Sequence, residues 1–262
     1  MTQVDPTLRP EGDPSEAALA AILEVVRRRT GTDFAGYRAA TVRRRVMNRV
    51  LSAGAQTLEG YLPRLLVDPG EVGELVERLT IKVSRFYRNP LLVPAVAGAL
   101  AQRARAAGDR PLRVWSAGCG RGEEAYTLAI LLAELGQPCL AGQVVGSDVD
   151  PAALRAAAAA RYPSEAVVDL PPRLRAGHLQ ACGSGDALVV REGIRARVRL
   201  VAHDLTTEAE PPDGGGFDLV ACRNALIYFR PAVQARVERL LLRALAPGGL
   251  LWLGEAEWPS RA

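Results

Sequence analysis

The fold of this chain is indicated most clearly by Leu112-Arg-Val-Trp-Ser-Ala-Gly-Cys-Gly-Arg-Gly-Glu-Glu124. Its apolar run from Leu112 to Trp115 predicts a strand, the alternating glycines predict a sharp turn, and the residues from Glu123 onward predict a helix. A strand, a glycine-rich turn and a helix in this order open a doubly wound α/β domain. Glycines allow the sharp bend, and their missing side chains let a ligand lie against the backbone.

The chemistry of this turn favours a ligand without phosphates. Its third glycine, Gly122, comes one residue too early for the dinucleotide pattern G-x-G-x-x-G. Glu123 and Glu124 follow where a pyrophosphate would meet the helix N-terminus, and two carboxylates there would repel it. S-adenosylmethionine, which carries a sulfonium and an amino group, suits these acids better. A purely structural turn is the alternative interpretation.

The next strand ends in a candidate ribose ligand. Gln143-Val-Val-Gly-Ser-Asp148 is apolar and ends in an acid. In this architecture a carboxylate about 20 residues past the glycines accepts hydrogen bonds from the ribose hydroxyls. Asp150, directly before Pro151, is explained as the N-cap of the following helix. We therefore assign Asp148, and not Asp150, to the ribose.

Composition excludes several classes of protein. The chain has 262 residues, four cysteines without a CxxC pair and two histidines, which predicts neither a disulfide framework nor a metal site. No apolar run is long enough for a transmembrane helix, and the N-terminus lacks the features of a signal peptide, so we expect a cytoplasmic protein. Residues 1–14 are polar and contain three prolines, which predicts a disordered tail.

Residues 15–80 predict a small all-helical domain. Apolar residues at helical spacing predict helices that begin near Ser15, Thr41 and Thr57. Asp68-Pro69-Gly70-Glu71 has the pattern of a capping box with proline at the first helical position, which predicts a fourth helix.

The helical domain is also rich in arginine. Eight arginines lie between Arg27 and Arg49 with a single acid, Asp33, among them. Arg45 and Arg49, four residues apart on one helix, form a basic stripe that suits an acidic partner. An ordinary solvated helix face is the alternative. The chain has only four Phe and six Tyr, too few aromatic side chains for the base-stacking surface that a nucleic-acid interface requires, so nucleic acid is not the expected partner.

Four motifs, in the same order along the chain, point to one protein family. Val83-Ser-Arg-Phe-Tyr-Arg-Asn-Pro90 resembles T-x-F-F-R-[DE], Trp115-Ser-Ala-Gly-Cys-Gly-Arg-Gly-Glu-Glu-Ala-Tyr-Thr-Leu-Ala129 resembles W-S-A-[AG]-C-S-[TS]-G-E-E-P-Y-S-[IL]-A, Ser147-Asp-Val-Asp150 resembles S-D-I-D, and Cys222-Arg-Asn-Ala-Leu-Ile-Tyr-Phe229 resembles C-R-N-[VL]-[ML]-I-Y-F. These patterns are those of the CheR family, the chemotaxis receptor glutamate methyltransferases. The resemblance covers nearly the whole chain.

The resemblance implies an α/β fold with three parts. A Rossmann-like S-adenosylmethionine-dependent methyltransferase domain would occupy residues 111–262, after the helical domain and after a linker and connecting helix over 81–110. A small antiparallel β insertion is implied at about 163–197, which in some members docks on a receptor's C-terminal peptide. The implied activity is methyl transfer from S-adenosylmethionine to glutamate carboxylates of a chemoreceptor's acidic helical bundle, which leaves S-adenosylhomocysteine.

Two other functions stay open at this point. The chain could be a non-catalytic homologue that binds cofactor or receptor and regulates by occupancy, or a methyltransferase that acts on nucleic acid. We expect a monomer without direct membrane insertion. A glutamate carboxylate is ionised at neutral pH, so the implied reaction needs no general base and no Ser/His/Asp set.

The resemblance also assigns site residues. The candidate catalytic residues are Arg88, whose guanidinium forks onto a carboxylate, and Tyr228, whose hydroxyl would orient the acceptor or, alternatively, pack structurally. The candidate cofactor-binding residues are Lys82, Ser84, Arg88, Gly118, Glu123, Asp148, Asp204, Leu205, Asn224 and Ala225. Arg45 and Arg49 are assigned to the receptor. Glu123 would hold the cofactor's amino group, with a first-turn helix acid as the alternative.

The chain departs from the family pattern at several positions. Lys82 and Ser84 stand where the family usually has Asn and Thr, and Asp204 replaces an Asn expected near the adenine. Gly120-Arg121 replaces Ser-Thr in the glycine turn. Leu253-Gly-Glu-Ala-Glu257 stands for L-G-H-S-E, and the chain ends soon after it, so the last strand usual in this fold is expected to be missing.

Overall fold

The structure of this chain is a computed structural model that describes residues 14–80, 84–138, 140, 143–183 and 186–257. It divides into two compact units, Met1–Thr80 and Ile81–Ala262. Apart from Pro14, the predicted tail lies outside the described residues, as does Lys82. None of the helices over the described ranges combines the length and apolar character needed to cross a bilayer.

The first unit consists of helices joined by short loops over its described residues. Its helices are α1 (Pro14–Thr30), α2 (Ala39–Ser52), α3 (Leu58–Val67) and α4 (Pro69–Leu79). Their apolar faces meet in a core that includes the fully buried Ile22, Val46 and Leu75. Helix α1 begins at Pro14, so Ser15 lies in its first turn and is not the N-cap that the sequence predicts. Pro63 is accommodated inside α3.

The predicted capping box at the start of α4 forms only in part. Asp68 caps the helix as expected, because its Oδ1 accepts a hydrogen bond from the Gly70 amide at 2.8 Å. Glu71 instead binds the Arg49 guanidinium, with Nε at 2.6 Å and Nη2 at 2.9 Å. A bidentate, charge-assisted pair is stronger than a single bond to a backbone amide, so it takes the carboxylate.

The same contacts change the interpretation of Arg45 and Arg49. Arg45 is buried, and its guanidinium donates to the carbonyl of Leu79 at the end of α4. Arg49 is 13% exposed and paired with Glu71. These residues therefore face α4 and do not form the exposed basic stripe that the sequence suggests. Their contact with a receptor stays a prediction. The exposed arginines of this helix are Arg43 and Arg44, with Arg38 directly before it.

The second unit is built on a parallel sheet. Its described strands are β1 (Val114–Ala117), β2 (Val144–Asp148), β3 (Arg161–Pro163), β4 (Leu179–Ala181), β5 (Ala187–Val190), β6 (Val198–Ala202), β7 (Phe217–Cys222) and β8 (Leu245–Leu253). Its described helices are α5 (Val93–Ala107), α6 (Glu123–Glu134), α7 (Pro151–Ala159), α8 (Pro172–His178), α9 (Glu192–Arg195) and α10 (Pro231–Ala244). Among the described residues, five strands pair in the order β6-β2-β1-β7-β8, all in parallel.

The two faces of the parallel sheet are covered by helices, so its central strands are apolar on both sides. All four residues of β1 and all six of β7 are buried. Trp115 lies in this core, where its Nε1 donates to Ser147 Oγ at 2.9 Å. The fold class predicted from the sequence is confirmed.

A small antiparallel sheet lies between α7 and β6. Its strands pair in the order β3-β5-β4 within the described residues. Strand β5 coincides with the apolar run Ala187-Leu-Val-Val190, which predicts a strand, whereas β3 and β4 are three residues each and carry no periodic signal. Tyr162 of β3 packs edge-to-face on Phe86, with ring centroids 4.8 Å apart, which ties this sheet to the segment before α5.

Two elements begin elsewhere than their sequence patterns predict. Asn89-Pro90 has the pattern of a helix start, but helix α5 begins at Val93, and Asn89 has a left-handed conformation (φ 64°) outside the helical region. Pro247-Gly-Gly249 has the pattern of a turn before a strand, but strand β8 begins at Leu245. That turn is absorbed as an irregularity in the pairing of β8 with β7, between Phe217 and Leu219.

Candidate cofactor and acceptor site

Four neighbouring strands deliver the candidate residues to one edge of the sheet. Gly118 follows β1, Asp148 ends β2, Asp204 follows β6 and Asn224 follows β7. The strands are parallel, so these carboxyl ends lie at the same edge. The chain order reverses direction between β1 and β7, which is where open α/β sheets form a ligand crevice.

The glycine turn is bonded to the end of β2. The amides of Gly118 and Cys119 both donate to the carbonyl of Ser147 at 2.8 Å. Gly122 has a φ of 94°, and a Cβ added there would lie 2.9 Å from the Ala157 Cβ, so only glycine fits. A Cβ on Gly118 would meet the side chain of Ala225 at 3.5 Å, which places these two cofactor candidates against each other.

Asp148 is oriented by two backbone amides. Its Oδ2 accepts a hydrogen bond from Gly120 and its Oδ1 accepts one from Asp150, both at 2.9 Å. Asp150 is buried and caps α7 through the Ala152 amide at 2.8 Å. The geometry therefore gives Asp150 a structural role and leaves Asp148, half-buried at the strand end, in the position expected of a ribose ligand.

Glu123 is a buried acid beside a cavity. Its Oε2 has no hydrogen-bond partner among the residues that the structure describes, and the residue is 4% exposed. Burial raises the pKa of its carboxyl to about 7, against smaller opposing effects of a backbone hydrogen bond and Arg121. A cavity of about 280 Å³ is lined by Ser84, Arg121, Glu123 and Tyr162, among others. A cationic group in this cavity would satisfy the Glu123 carboxylate.

Arg88 lies in a short segment that is hydrogen-bonded to the core of the second unit. The Phe86 amide donates to Ala166 O at 2.9 Å, and the Tyr87 amide donates to Thr127 Oγ1 at 3.0 Å. Tyr87 and Asn89, on either side of Arg88, both have positive φ, 57° and 64°. Arg88 is half-buried and its positive charge acts on the carboxyl of Glu124, whose pKa is raised mainly by burial.

Arg223 belongs to this site although the sequence analysis did not single it out. Its Nη2 donates to Asn89 Oδ1 at 2.7 Å and to the Arg88 carbonyl at 3.2 Å. Its Nη1 lies 3.6 Å from Glu124 Oε2, and its guanidinium stacks on the Trp252 ring, 4.1 Å from the centroid. Burial lowers the pKa of Arg223, although this group stays a cation. The available signal was its place between Cys222 and Asn224 in a family motif.

Glu257 is a second site residue that the sequence analysis missed. Its Oε2 accepts hydrogen bonds from the amides of Asn224 at 2.8 Å and Gly254 at 2.7 Å. Asn224 has a φ of 60°, a left-handed conformation that Asn tolerates better than most residues. The buried carboxylate thus fixes the loop after β7 that presents Asn224 and Ala225. Tyr228 follows in the same loop, half-buried, with its amide bonded to Ala225 O at 3.2 Å.

Asp204 is partly committed to its own turn. Its Oδ1 accepts hydrogen bonds from the amide and the hydroxyl of Thr206, each at 2.7 Å, and its amide donates to Glu208 Oε1 at 2.8 Å. Leu205, next to it, is buried. The two residues stand at the carboxyl end of β6 as expected. Their contact with adenine stays a prediction.

Ser84 lines the cavity with Glu123, so the structure brings these two cofactor candidates together. Cys119, inside the glycine turn, is buried, and burial raises the pKa of its thiol well above the ordinary value. It is therefore a packing residue and not a nucleophile. Over the ranges that the structure describes, no group of three or more His, Cys, Asp or Glu side chains could hold a metal ion.

Both units match domains of one protein family. The all-alpha domain of the CheR methyltransferases matches residues 17–80, and the S-adenosylmethionine-binding domain of the same family matches residues 82–260. The family resemblance found in the sequence motifs is confirmed. The cofactor of the second domain is S-adenosylmethionine, and the glycine turn, Asp148 and the unsatisfied Glu123 oxygen fit such a group.

Individual relatives differ in length. A chemotaxis protein methyltransferase of Klebsiella aerogenes is 33% identical over 93% of this chain and 83% of its own length. A probable biofilm formation methyltransferase of Pseudomonas putida is 35% identical over 88% of this chain, and an uncharacterized 104.1 kDa protein of Rhodobacter capsulatus is 34% identical over 94%. This chain spans 54% and 26%, respectively, of those two relatives.

Proposed function

The chain belongs to the CheR methyltransferase family, and on that premise we propose that it methylates glutamate side chains of a chemoreceptor. The products would be a glutamate methyl ester and S-adenosylhomocysteine. The observation that carries the proposal is Glu123, a residue that lines a cavity beside the glycine turn and whose buried Oε2 has no hydrogen bond to the described residues. The ammonium group of S-adenosylmethionine is the cation that suits it.

The chain's own residues would bind and orient the reactants. Asp148 would accept hydrogen bonds from the ribose hydroxyls and Glu123 would hold the amino group. When bound, S-adenosylmethionine supplies a methyl group already activated by a sulfonium. Arg88 would bind a carboxylate, Asn224 would contact the cofactor, and the Tyr228 hydroxyl would orient the acceptor. Because the attacking carboxylate is ionised, positioning and exclusion of water are what the protein contributes.

The proposed partner is the cytoplasmic domain of a chemoreceptor, and the proposed site of action is therefore the cytoplasm. An acidic helical bundle would be attracted by the arginines of the helical unit. Arg45 and Arg49 were the candidates from sequence, but both make contacts inside their own unit. Arg43 and Arg44 are exposed on the same helix and are the better candidates for a direct contact.

The decisive experiment incubates the protein with methyl-labelled S-adenosylmethionine and a chemoreceptor cytoplasmic domain, followed by mild alkali. A methyl ester releases volatile labelled methanol, whereas methylated nitrogen does not. We expect volatile label from the wild type and none above background from Arg88→Ala. Label that stays on protein after alkali would contradict ester formation. No label at all, with S-adenosylhomocysteine still bound, would favour the non-catalytic homologue.

A second assay tests the receptor-facing arginines. Replacing Arg43 and Arg44 with alanine should raise KM for the receptor and leave the Kd of S-adenosylhomocysteine unchanged. The matched control replaces Arg27 and Arg28, exposed arginines that are paired with Glu24 on α1. Equal effects of the two double substitutions would indicate a general charge effect in place of a defined contact.

A further inference from the structure

A polar cluster beside Arg88 is not accounted for by the cofactor assignments, and Asn89 is its centre. The Asn89 Oδ1 accepts a hydrogen bond from Arg223 Nη2 at 2.7 Å, and its Nδ2 donates to Glu255 Oε1. The same Nη2 of Arg223 donates to the carbonyl of Arg88 at 3.2 Å. The Asn89 side chain therefore connects Glu255 to Arg223, whose guanidinium is bonded to the backbone of Arg88.

The backbone at this point is in a conformation that needs support. Tyr87 and Asn89 are both left-handed, a region that non-glycine residues enter seldom and that persists where surrounding contacts impose it. Two such residues on either side of Arg88 set the direction in which its side chain leaves the chain. Contacts that hold Asn89 thus control the placement of the Arg88 guanidinium.

The placement of Arg88 should be sensitive to the charged groups around Arg223. Three carboxylates, those of Glu124, Glu255 and Glu257, and the guanidinium of Arg88 act electrostatically on Arg223. The Arg223 side chain is 5% exposed, so these interactions are less screened than at the surface. A substitution that moves one negative charge within this cluster should therefore change the position of the Arg88 guanidinium.

At positions 89 and 255, this chain and the family motifs quoted above place the acidic residue at opposite members of the pair. The motif T-x-F-F-R-[DE] has an acid at position 89 and L-G-H-S-E has a histidine at position 255, whereas this chain has Asn89 and Glu255. Either arrangement pairs a hydrogen-bond donor with a carboxylate. Neither mixed arrangement does, because an acid at both positions would bring two like charges together, and Asn89 with a histidine at position 255 has no carboxylate.

We propose that Asn89 and Glu255 are a positioning pair that sets Arg88 through Arg223, with the carboxylate supplied from position 255 in place of position 89. The inference rests on the proposed function, because it assumes that Arg88 binds a carboxylate during methyl transfer. It predicts that the two residues can be exchanged together but not singly.

The test is a double-mutant cycle of Asn89→Asp, Glu255→His and their combination in the full chain. We expect each single substitution to lower kcat/KM for methyl transfer to a receptor cytoplasmic domain about tenfold, and the combination to recover most of that loss. The combination should also acquire a pH dependence of kcat between about pH 6 and 7, because the introduced imidazole titrates there. Glu192→His, at an acid of α9 whose side chain is 79% exposed, is the matched control.

Amide hydrogen exchange over residues 86–92 gives a readout independent of activity. Faster exchange in each single variant and recovery in the combination would support the pair even if the wild type transfers no methyl group, which would refute the proposed function alone. Additive losses of kcat/KM would overturn the inference, as would single variants that behave like the wild type. Recovery of exchange without recovery of kcat/KM would show that the pair is structural and does not position Arg88.

Discussion

Glu71 in the helical unit and Glu123 in the methyltransferase unit are both buried acids in the first turn of a helix. They differ in their hydrogen-bond partners and in the direction in which their pKa is shifted. Glu71 is bonded to Arg49 and also accepts a hydrogen bond from the Tyr61 hydroxyl at 2.6 Å. These contacts, first of all the Arg49 bond, lower the pKa of Glu71. Glu123 has an oxygen without a partner in the described part of the chain, and burial raises its pKa to about 7.

The difference separates an acid that supports the fold from one that is prepared for a ligand. A buried carboxylate with all its partners in the protein contributes to stability only as part of its network. A buried carboxylate without partners costs the fold free energy, which a cationic ligand can recover on binding. Such a cost is expected at a functional site.

The largest effect should follow from breaking the Glu71 network. We expect Glu71→Ala to lower the unfolding free energy of the helical unit by about 3 kcal/mol, because the mostly buried Arg49 loses its bidentate partner and keeps the longer, exposed contact with Glu74. Amide hydrogen exchange in α2 and α4 would report it. Glu74→Ala is the control, since Glu74 pairs with the same Arg49 at 3.3 Å but is 54% exposed. Similar losses in both variants would contradict the distinction.

The two acids should also give opposite pH dependences of stability. Glu123 has a folded pKa of about 7 against an ordinary 4.5, so the folded state binds this proton more tightly. Its contribution to the unfolding free energy is therefore full below pH 4.5 and falls by about 3 kcal/mol as pH rises to 7 and beyond. Glu71, with a lowered pKa, contributes above its ordinary pKa and loses this as pH falls.

Urea unfolding of the methyltransferase unit at several pH values would test whether its unfolding free energy falls with rising pH, as expected from Glu123. Glu123→Gln should remove the decrease between pH 4.5 and 7, the window set by the pKa of Glu123. A variant that keeps the wild-type slope would show that Glu123 is not the group responsible.

Binding of S-adenosylhomocysteine should depend on the same carboxylate. Glu123→Gln is expected to weaken binding by about tenfold or more, because a neutral amide replaces a charged partner of the amino group. In the wild type, binding near pH 7 should release protons, which calorimetry in buffers of different ionisation enthalpy detects. Glu165→Gln, at an exposed acid that lines the same cavity, is the control. Proton release that persists in Glu123→Gln would contradict the assignment.

The smallest effect concerns Arg121, which stands in the glycine turn and lowers the pKa of Glu123. Arg121→Ala should move the midpoint of the pH dependence of binding upward by less than about one unit, since an exposed arginine is screened by solvent. A downward shift of this midpoint would contradict the electrostatic effect of Arg121 on Glu123 that the structure indicates.

Much of the framework could be predicted from local signals. Strands β5 and β7 occupy the residues that their apolar runs indicate, and Asp68 and Asp150 cap the helices that follow them. Such features depend on a few residues that are neighbours along the chain, so they can be predicted from a single sequence. The three-residue strands β3 and β4 are held by pairing with β5 and have no comparable signal.

Part of the candidate site can be inferred from the sequence, and the rest depends on contacts between distant residues. Asp148 ends a strand and Asn224 follows one at the edge where ligands bind, so topology alone indicates them. Arg223, Glu257 and Asn89 act through hydrogen bonds to distant parts of the chain. The Asn89–Glu255 bond joins residues 166 positions apart, and no local pattern reports such a contact. Arg45 and Arg49 were placed on the right helix, but whether their charge meets solvent or another helix depends on packing.

The order of the main helices and strands, the glycine turn with the acids that surround it, and the family to which the motifs belong can be read from the sequence alone. The first two follow from backbone sterics and from the alternation of apolar and polar residues, which act over short distances along the chain. Which acids and arginines are satisfied depends on the folded structure. That depends on which groups the fold brings within hydrogen-bond distance in a water-poor interior, and there Glu71 obtains its partners while Glu123 is left for a ligand.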